Sequence, residues 1–228
     1  MNIAMKVGGS VFCPGDKPDP RYVRELAGTL TSLSSRHSIL VVVGGGRLAR
    51  KLILEARKQG KSADEQHTAG IVASRMNASA LIRELDGKAF KHVPGDVSEV
   101  RHAFGHGRIV VAGGFRPGQT TDAVTVQSAL AIGADLIVIG TDVKGVYDKD
   151  PKVHEDAEFM REISSSDLLG IVGSVEVEPG KNTIVDHVAA ELIRKSRKKV
   201  IVLDIRDLDN LVKAIEGGDF EGTIVKHG

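Results

Sequence analysis

Ile39-Leu40-Val41-Val42-Val43-Gly44-Gly45-Gly46 is the stretch that decides the fold. Five aliphatic residues without polar alternation predict a strand buried on both faces, and the glycines that end it predict a turn where backbone comes close to another group. The pattern recurs on either side. Upstream, Ile3 to Val7 runs into Gly8, Gly9 and Ser10; downstream, Ile109 to Ala112 runs into Gly113 and Gly114. Leu136 to Ile139 and Val200 to Leu203 are further short apolar runs. Between them, apolar residues return at helical spacing, as in Tyr22, Val23, Leu26, Leu30 and Leu33, then Leu48, Leu52, Ile53 and Ala56, and later Val185, Ala189, Leu192 and Ile193. Strands that alternate with helices need crossover connections, so the chain is α/β, with a mostly parallel sheet covered by helices on both faces.

With 228 residues, no repeat and no linker-like tract, one continuous domain over 1–228 is expected. A soft division near Gly133 separates an acceptor-binding half, about 1–133, from an ATP-binding half, about 134–228. The formal net charge of +1 and the shortage of aromatic residues, with no tryptophan, argue against nucleic-acid binding and for a small ligand. Cys13 is the single cysteine, so it forms no internal disulfide and reads as structural. No signal-peptide pattern opens the chain and no apolar run is long enough to span a bilayer, so the expectation is a cytoplasmic protein without membrane association. Arg194, Lys195, Arg197, Lys198 and Lys199 close a predicted helix at its negative end. His102 and His106 fall on one helix face, but no third ligand accompanies them, and no metal site is expected.

Three glycine clusters at three strand ends describe one site, because ligands in open α/β sheets gather beyond the carboxyl ends of the strands, and a helix expected to start after each cluster adds its positive end. No G-x-x-x-x-G-K-[ST] string occurs, so phosphate is held in some other way. Gly44, Gly46 and Ala49 satisfy a G-x-G-x-x-A pattern with Asp64 and Glu65 nearly 20 residues on, which keeps a nicotinamide-dependent enzyme open as an alternative. Lys6, two residues before the first glycine pair, can reach a phosphate held there. In Pro117 to Val124, PGQTTDAV, the residues Thr120, Thr121 or Asp122 either cap a helix or hold an anion. In Thr141 to Pro151, TDVKGVYDKDP, hydroxyl, carboxylates and tyrosine can bracket an adenine and its ribose.

These segments, in order KVGGS, VVVGGGRLARK, GIVASRMNA, GGFRPGQTTDAV, GTDVKGVYDKDP, VDHVAAELI and EGTIV, resemble the amino acid kinase superfamily and, within it, the archaeal type of UMP kinase. The resemblance covers essentially the whole chain. It implies a three-layer αβα sandwich of the carbamate kinase-like type and transfer of a phosphoryl group from ATP, with Mg2+, to UMP. By that resemblance Gly9, Ser10, Gly46, Arg50, Thr141, Asp142, Tyr147 and Asp150 contact ATP. Gly45, His67 and the loop Phe115, Arg116, Pro117, Gly118, Gln119, Thr120 and Thr121 contact UMP. Lys6 bridges the two phosphates and Asp122 orients it, with Lys181 as a further cation; loss of Lys6 is expected to cost turnover while leaving folding intact. The family usually has aspartate at position 67, asparagine at 142 and aspartate at 144, where this chain has His67, Asp142 and Lys144. A sister kinase acting on another phosphate monoester, such as isopentenyl phosphate, and a nonenzymatic nucleotide sensor stay open beside UMP kinase. A homo-oligomer, a hexamer in this family, is implied by resemblance alone.

Overall fold

The aliphatic runs become five adjacent strands of one sheet. The structure, a computed structural model, describes residues 1–106, 109–174 and 185–227. Strand β1 (Asn2–Val7) leads through the single turn α1 (Gly9–Phe12) and helix α2 (Pro20–Leu33) to β2 (Ser38–Val43). Helices α3 (Gly46–Lys58), α4 (Ala63–Glu84) and α5 (Val97–His106) follow, then β3 (Ile109–Ala112), α6 (Thr121–Ala131) and β4 (Leu136–Thr141). A two-stranded antiparallel excursion, β5 (Val146–Tyr147) and β6 (Phe159–Met160), precedes β7 (Glu162–Ser164), α7 (Ser165–Ser174), α8 (His187–Ser196), β8 (Lys199–Asp204), α9 (Leu208–Glu216) and β9 (Thr223–Lys226).

The seven-stranded sheet runs β3-β2-β1-β4-β8-β9-β7. The first five strands are mutually parallel, and β9 pairs antiparallel to β8 and carries β7 as the edge, an extension that the apolar runs alone do not announce. From β1 the chain winds outward to β2 and β3, then returns to place β4 on the other side of β1. The reversal of strand order therefore falls between β1 and β4, which is where a crevice opens at the carboxyl edge.

Alternation along β1 sorts the two cores. Ile3, Met5 and Val7 join Leu26, Leu30, Leu81 and Leu211 on the face covered by α2, α4 and α9. Ala4, with Leu40, Val42 and Val110, faces Val124, Val126 and Ala190 from α6 and α8. Three layers result. Helix starts are built from side chains: Asp19 caps α2 with Pro20 behind it, Ser62 and Glu65 form a reciprocal capping box on α4, and Thr120, Asp186 and Asp207 cap α6, α8 and α9.

Two expectations change. No helix begins directly after Gly113 and Gly114; a loop through residues 115–120 intervenes before α6. Of the basic run, only Arg194 and Lys195 lie in the last turn of α8; Arg197 is its left-handed C-cap and Lys199 already belongs to β8. Among the described residues no helix is long and apolar enough to cross a membrane.

Candidate functional site

Lys6 continues the series of Ala4 on a face that is otherwise aliphatic, so its side chain runs beneath α6. Its Nζ lies 2.7 Å from Asp122 Oδ1, and each side chain is 12% exposed. Asp122 is the second residue of α6, close to the positive end of that helix. Burial pushes its carboxyl up from the ordinary range; Lys6 pulls it back, and the Asp186 carboxylate adds to the rise. Desolvation offsets most of the attraction within a buried ion pair, so stability alone does not account for this one. An amine held at a strand end beneath phosphate-sized turns suits charge neutralisation.

The turns themselves meet backbone to backbone. A Cβ on Gly46, whose φ is +61°, would stand 2.1 Å from the Gly9 carbonyl oxygen, and one on Gly9 would stand 2.2 Å from the Gly46 nitrogen. Each residue is glycine because the other is there. Gly8 packs on the far side against Gly140 at the end of β4, where an added Cβ would lie 3.1 Å from the carbonyl oxygen. The β1 turn is thus flanked by the β2 turn and the end of β4. The G-x-G-x-x-A string has its explanation in this contact, and it follows the second strand, which removes the grounds for a nicotinamide-dependent enzyme.

Helix α4 supports the middle and third clusters with residues that the motifs did not single out. Asn77 Nδ2 donates to the Gly44 carbonyl at 2.8 Å, and the Gly114 N–H donates to Ser74 Oγ at 2.9 Å. Both side chains are buried on a helix whose neighbours there are alanines. Their signals in the sequence are polarity on a buried stripe and a place in the GIVASRMNA segment, neither of which tells what they support. His67 is exposed one turn before Gly70, whose carbonyl packs toward Gly45.

The loop from Phe115 to Thr121 turns at Gly118 (φ +78°), with the Gln119 N–H donating to the Arg116 carbonyl at 3.3 Å. Thr120 takes the capping role: its Oγ1 accepts from the Ala123 N–H at 3.1 Å and donates to Asp186 Oδ2. Its hydroxyl is therefore engaged on both sides, and Gln119 is engaged with Gln127 at 3.0 Å. Thr121, whose hydroxyl makes no hydrogen bond among the described residues, is the better placed of the two threonines to meet an anion. Asp186 is a further residue the motifs did not single out; its Oδ1 accepts from Val188 and Ala189 at 2.9 and 3.1 Å, so one carboxylate ties the start of α8 to the start of α6.

Asp142 follows β4 directly. Burial works to raise its carboxyl, but Lys152 at 2.7 Å and the Ser10 hydroxyl outweigh that and hold it below the ordinary range. Thr141 is buried at the strand end and its carbonyl accepts from the Ile205 N–H at 2.9 Å. Tyr147 stacks obliquely on Phe159 across the β5–β6 pair, ring centres 5.5 Å apart, and Asp150 is exposed at the next turn. Lys6, Gly9, Ser10, Gly46, Asp122 and Asp142 thus converge on the β1–β4 crevice. Arg50, exposed on α3, makes no ion pair among the described residues, and neither do His67 or Arg116. Lys181 lies outside the described residues. Cys13 is buried, its Sγ donating to the Gly15 carbonyl at 3.3 Å, and burial pushes its thiol up.

The chain matches known proteins along nearly its whole length. The profile of the amino acid kinase family matches residues 1–204. The chain belongs to the amino acid kinase family. Within that family, it is 37% identical to a uridylate kinase of Methanocaldococcus jannaschii over 227 residues, covering 99% of this chain and all of the relative. It is 38% identical to a uridylate kinase of Pyrococcus abyssi over 226 residues, again 99% of this chain and all of the relative. The crystal structure of uridylate kinase from Archaeoglobus fulgidus superposes with a TM-score of 0.89 at 36% identity, covering 99% of this chain and 100% of that one.

Proposed function

We propose that the protein transfers the γ-phosphoryl group of ATP to UMP, giving UDP and ADP. The observation that carries this reading is the buried Lys6–Asp122 pair beneath the Gly9–Gly46 contact, in a chain that aligns end to end with uridylate kinases. A phosphate monoester acceptor has a second pKa near 6, so UMP arrives as a nucleophilic dianion and no general base is needed. The chemical demand is to hold two anions close and stabilise the charge of the transferring group.

Each group then has a task. Lys6 lies near the carboxyl end of β1, ahead of the donor turn at Gly9 and Ser10 and alongside the β2 turn, where Gly46 serves ATP and Gly45 serves UMP, and its ammonium neutralises charge as the phosphoryl group passes. Asp122 holds that ammonium in place. The backbone amides of the first turn of α6, with Thr121 and the Phe115–Thr120 loop, hold the UMP phosphate, and His67 faces the nucleoside side. Thr141, Asp142, Tyr147 and Asp150 hold the ATP side, which makes residues beyond about 134 the nucleotide half. Among the described residues no group of three or more metal-binding side chains occurs. A Mg2+ carried on the triphosphate needs few protein carboxylates, and Asp142 is the donor-side carboxylate that would hold its waters; bound there, the ion would neutralise phosphate charge. The cellular setting we propose, by resemblance, is cytoplasmic pyrimidine nucleotide synthesis by a homo-oligomer, a hexamer.

Mg·ATP offered with a panel of UMP, dUMP, CMP, AMP and isopentenyl phosphate tests the assignment. UDP formation in preference to all other products is the expected result. Transfer to isopentenyl phosphate but not UMP would move the chain to a sister branch, and binding of ATP with transfer to none of them would make it a sensor.

A further inference from the structure

Three lysines lie in the excursion that leaves β4, and the fold sends each to a different carboxylate. Lys144 pairs with Glu221 at 2.8 Å and Lys149 with Asp156 at 2.5 Å, both away from the crevice. Lys152 returns to it: its Nζ lies 2.7 Å from Asp142 Oδ2, and the Ser10 hydroxyl of the donor turn stands near enough to that carboxylate to help hold it below its ordinary range.

The surroundings are built to keep it there. Asp150 Oδ1 accepts from the Lys152 N–H at 2.9 Å, and the Asp150 carbonyl accepts from Val153 and His154 at 3.1 and 3.0 Å, a turn that Pro151 helps preset. One Asp150 oxygen is thereby engaged in presenting Lys152. On the other side, Arg206 Nη2 donates to the Asp142 carbonyl at 3.0 Å while its Nε bonds Asp204, so the backbone of Asp142 is anchored to the end of β8. A half-exposed ion pair contributes little to stability, which leaves this scaffolding without a structural purpose. An ammonium has three donors, and Asp142 engages one.

We propose that Lys152 binds the phosphate chain of the donor nucleoside triphosphate, with Asp142 as the residue that positions it beside Ser10. The assignment rests on the donor side of the site as read above. Lys152 is then a binding cation on the donor side, and Lys6 stays between donor and acceptor.

Equilibrium binding of ATP and of adenosine to the full-length protein and to its Lys152→Gln and Lys152→Arg variants tests this without requiring turnover. Loss of one charge-assisted contact predicts about tenfold weaker ATP binding for Lys152→Gln, adenosine binding within about twofold, and ATP binding by Lys152→Arg within about threefold of the parent. Thermal unfolding of all three proteins should coincide. Unchanged ATP affinity in Lys152→Gln, or an equal loss for ATP and adenosine, overturns the role of Lys152 alone. A parent protein that binds neither ligand overturns the donor site and this inference with it.

Discussion

Lys6 and Asp122 exclude water together, so a change at one is felt at the other. Replacing Lys6 by methionine leaves a buried carboxylate uncompensated, which predicts a loss of about 3 kcal/mol in urea unfolding at neutral pH, along with a turnover decrease of about a hundredfold. The sequence alone suggested that folding would be untouched; the burial of the pair changes that expectation. Adding Asp122→Asn should recover most of the stability and none of the turnover, which separates the two effects. At Gly46, alanine would carry a Cβ into the Gly9 carbonyl at a positive φ, and a loss of about 2 kcal/mol or more is expected by the same unfolding measurement. Lys6 was legible because it stands two residues before a glycine pair. Apart from the family resemblance, its partner was legible only as a first-turn acid, since nothing local to Asp122 tells that α6 crosses β1. Ser74 and Asn77 fall in the GIVASRMNA segment, but what they support was not legible there, because the turns lie about 30 to 40 residues away in the chain.

Helix starts carry predictions of their own. The Ser62 backbone and side chain and the Lys61 ammonium hold the Glu65 carboxyl down to about 2, against an ordinary value near 4.5. A depressed carboxyl contributes stability above its unfolded pKa and loses it as pH falls through the folded one, so the capping box of α4 weakens between pH 4.5 and 2. Glu65→Gln should flatten the stability curve in that window and change it little below. Asp186→Ala removes a cap from α8 and the partner of Thr120 in one step. About 1 kcal/mol of stability should be lost, with a rise in the KM for UMP that Asp186→Asn largely avoids. Most elements were readable from aliphatic runs and helical spacing. The delay between Gly114 and α6 was not, because the glycine pair reads the same whether a helix or a loop follows it.

At the scale of the whole molecule, β1, β2 and β4 lie inside the sheet with nearly every residue buried, whereas β5 and β6 form a two-stranded pair outside it. Amide hydrogen exchange should be slowest in the first three and faster by orders of magnitude in the excursion through residues 142–160. Equal protection in both would contradict the division. The parallel order of five strands was implied by alternation, but the antiparallel β9 was not, since a four-residue strand has too little pattern to fix its direction. The contact between Gly9 and Gly46 has a consequence for motion and for substitution. Two turns packed main chain against main chain act as an anvil with little freedom of its own; under the proposed transfer, the parts left to adjust around substrate are the 115–120 loop on one side and the 142–160 excursion on the other. Neither glycine has room for a side chain while the other's main chain stays in place, so a change at either one requires the facing turn to shift as well.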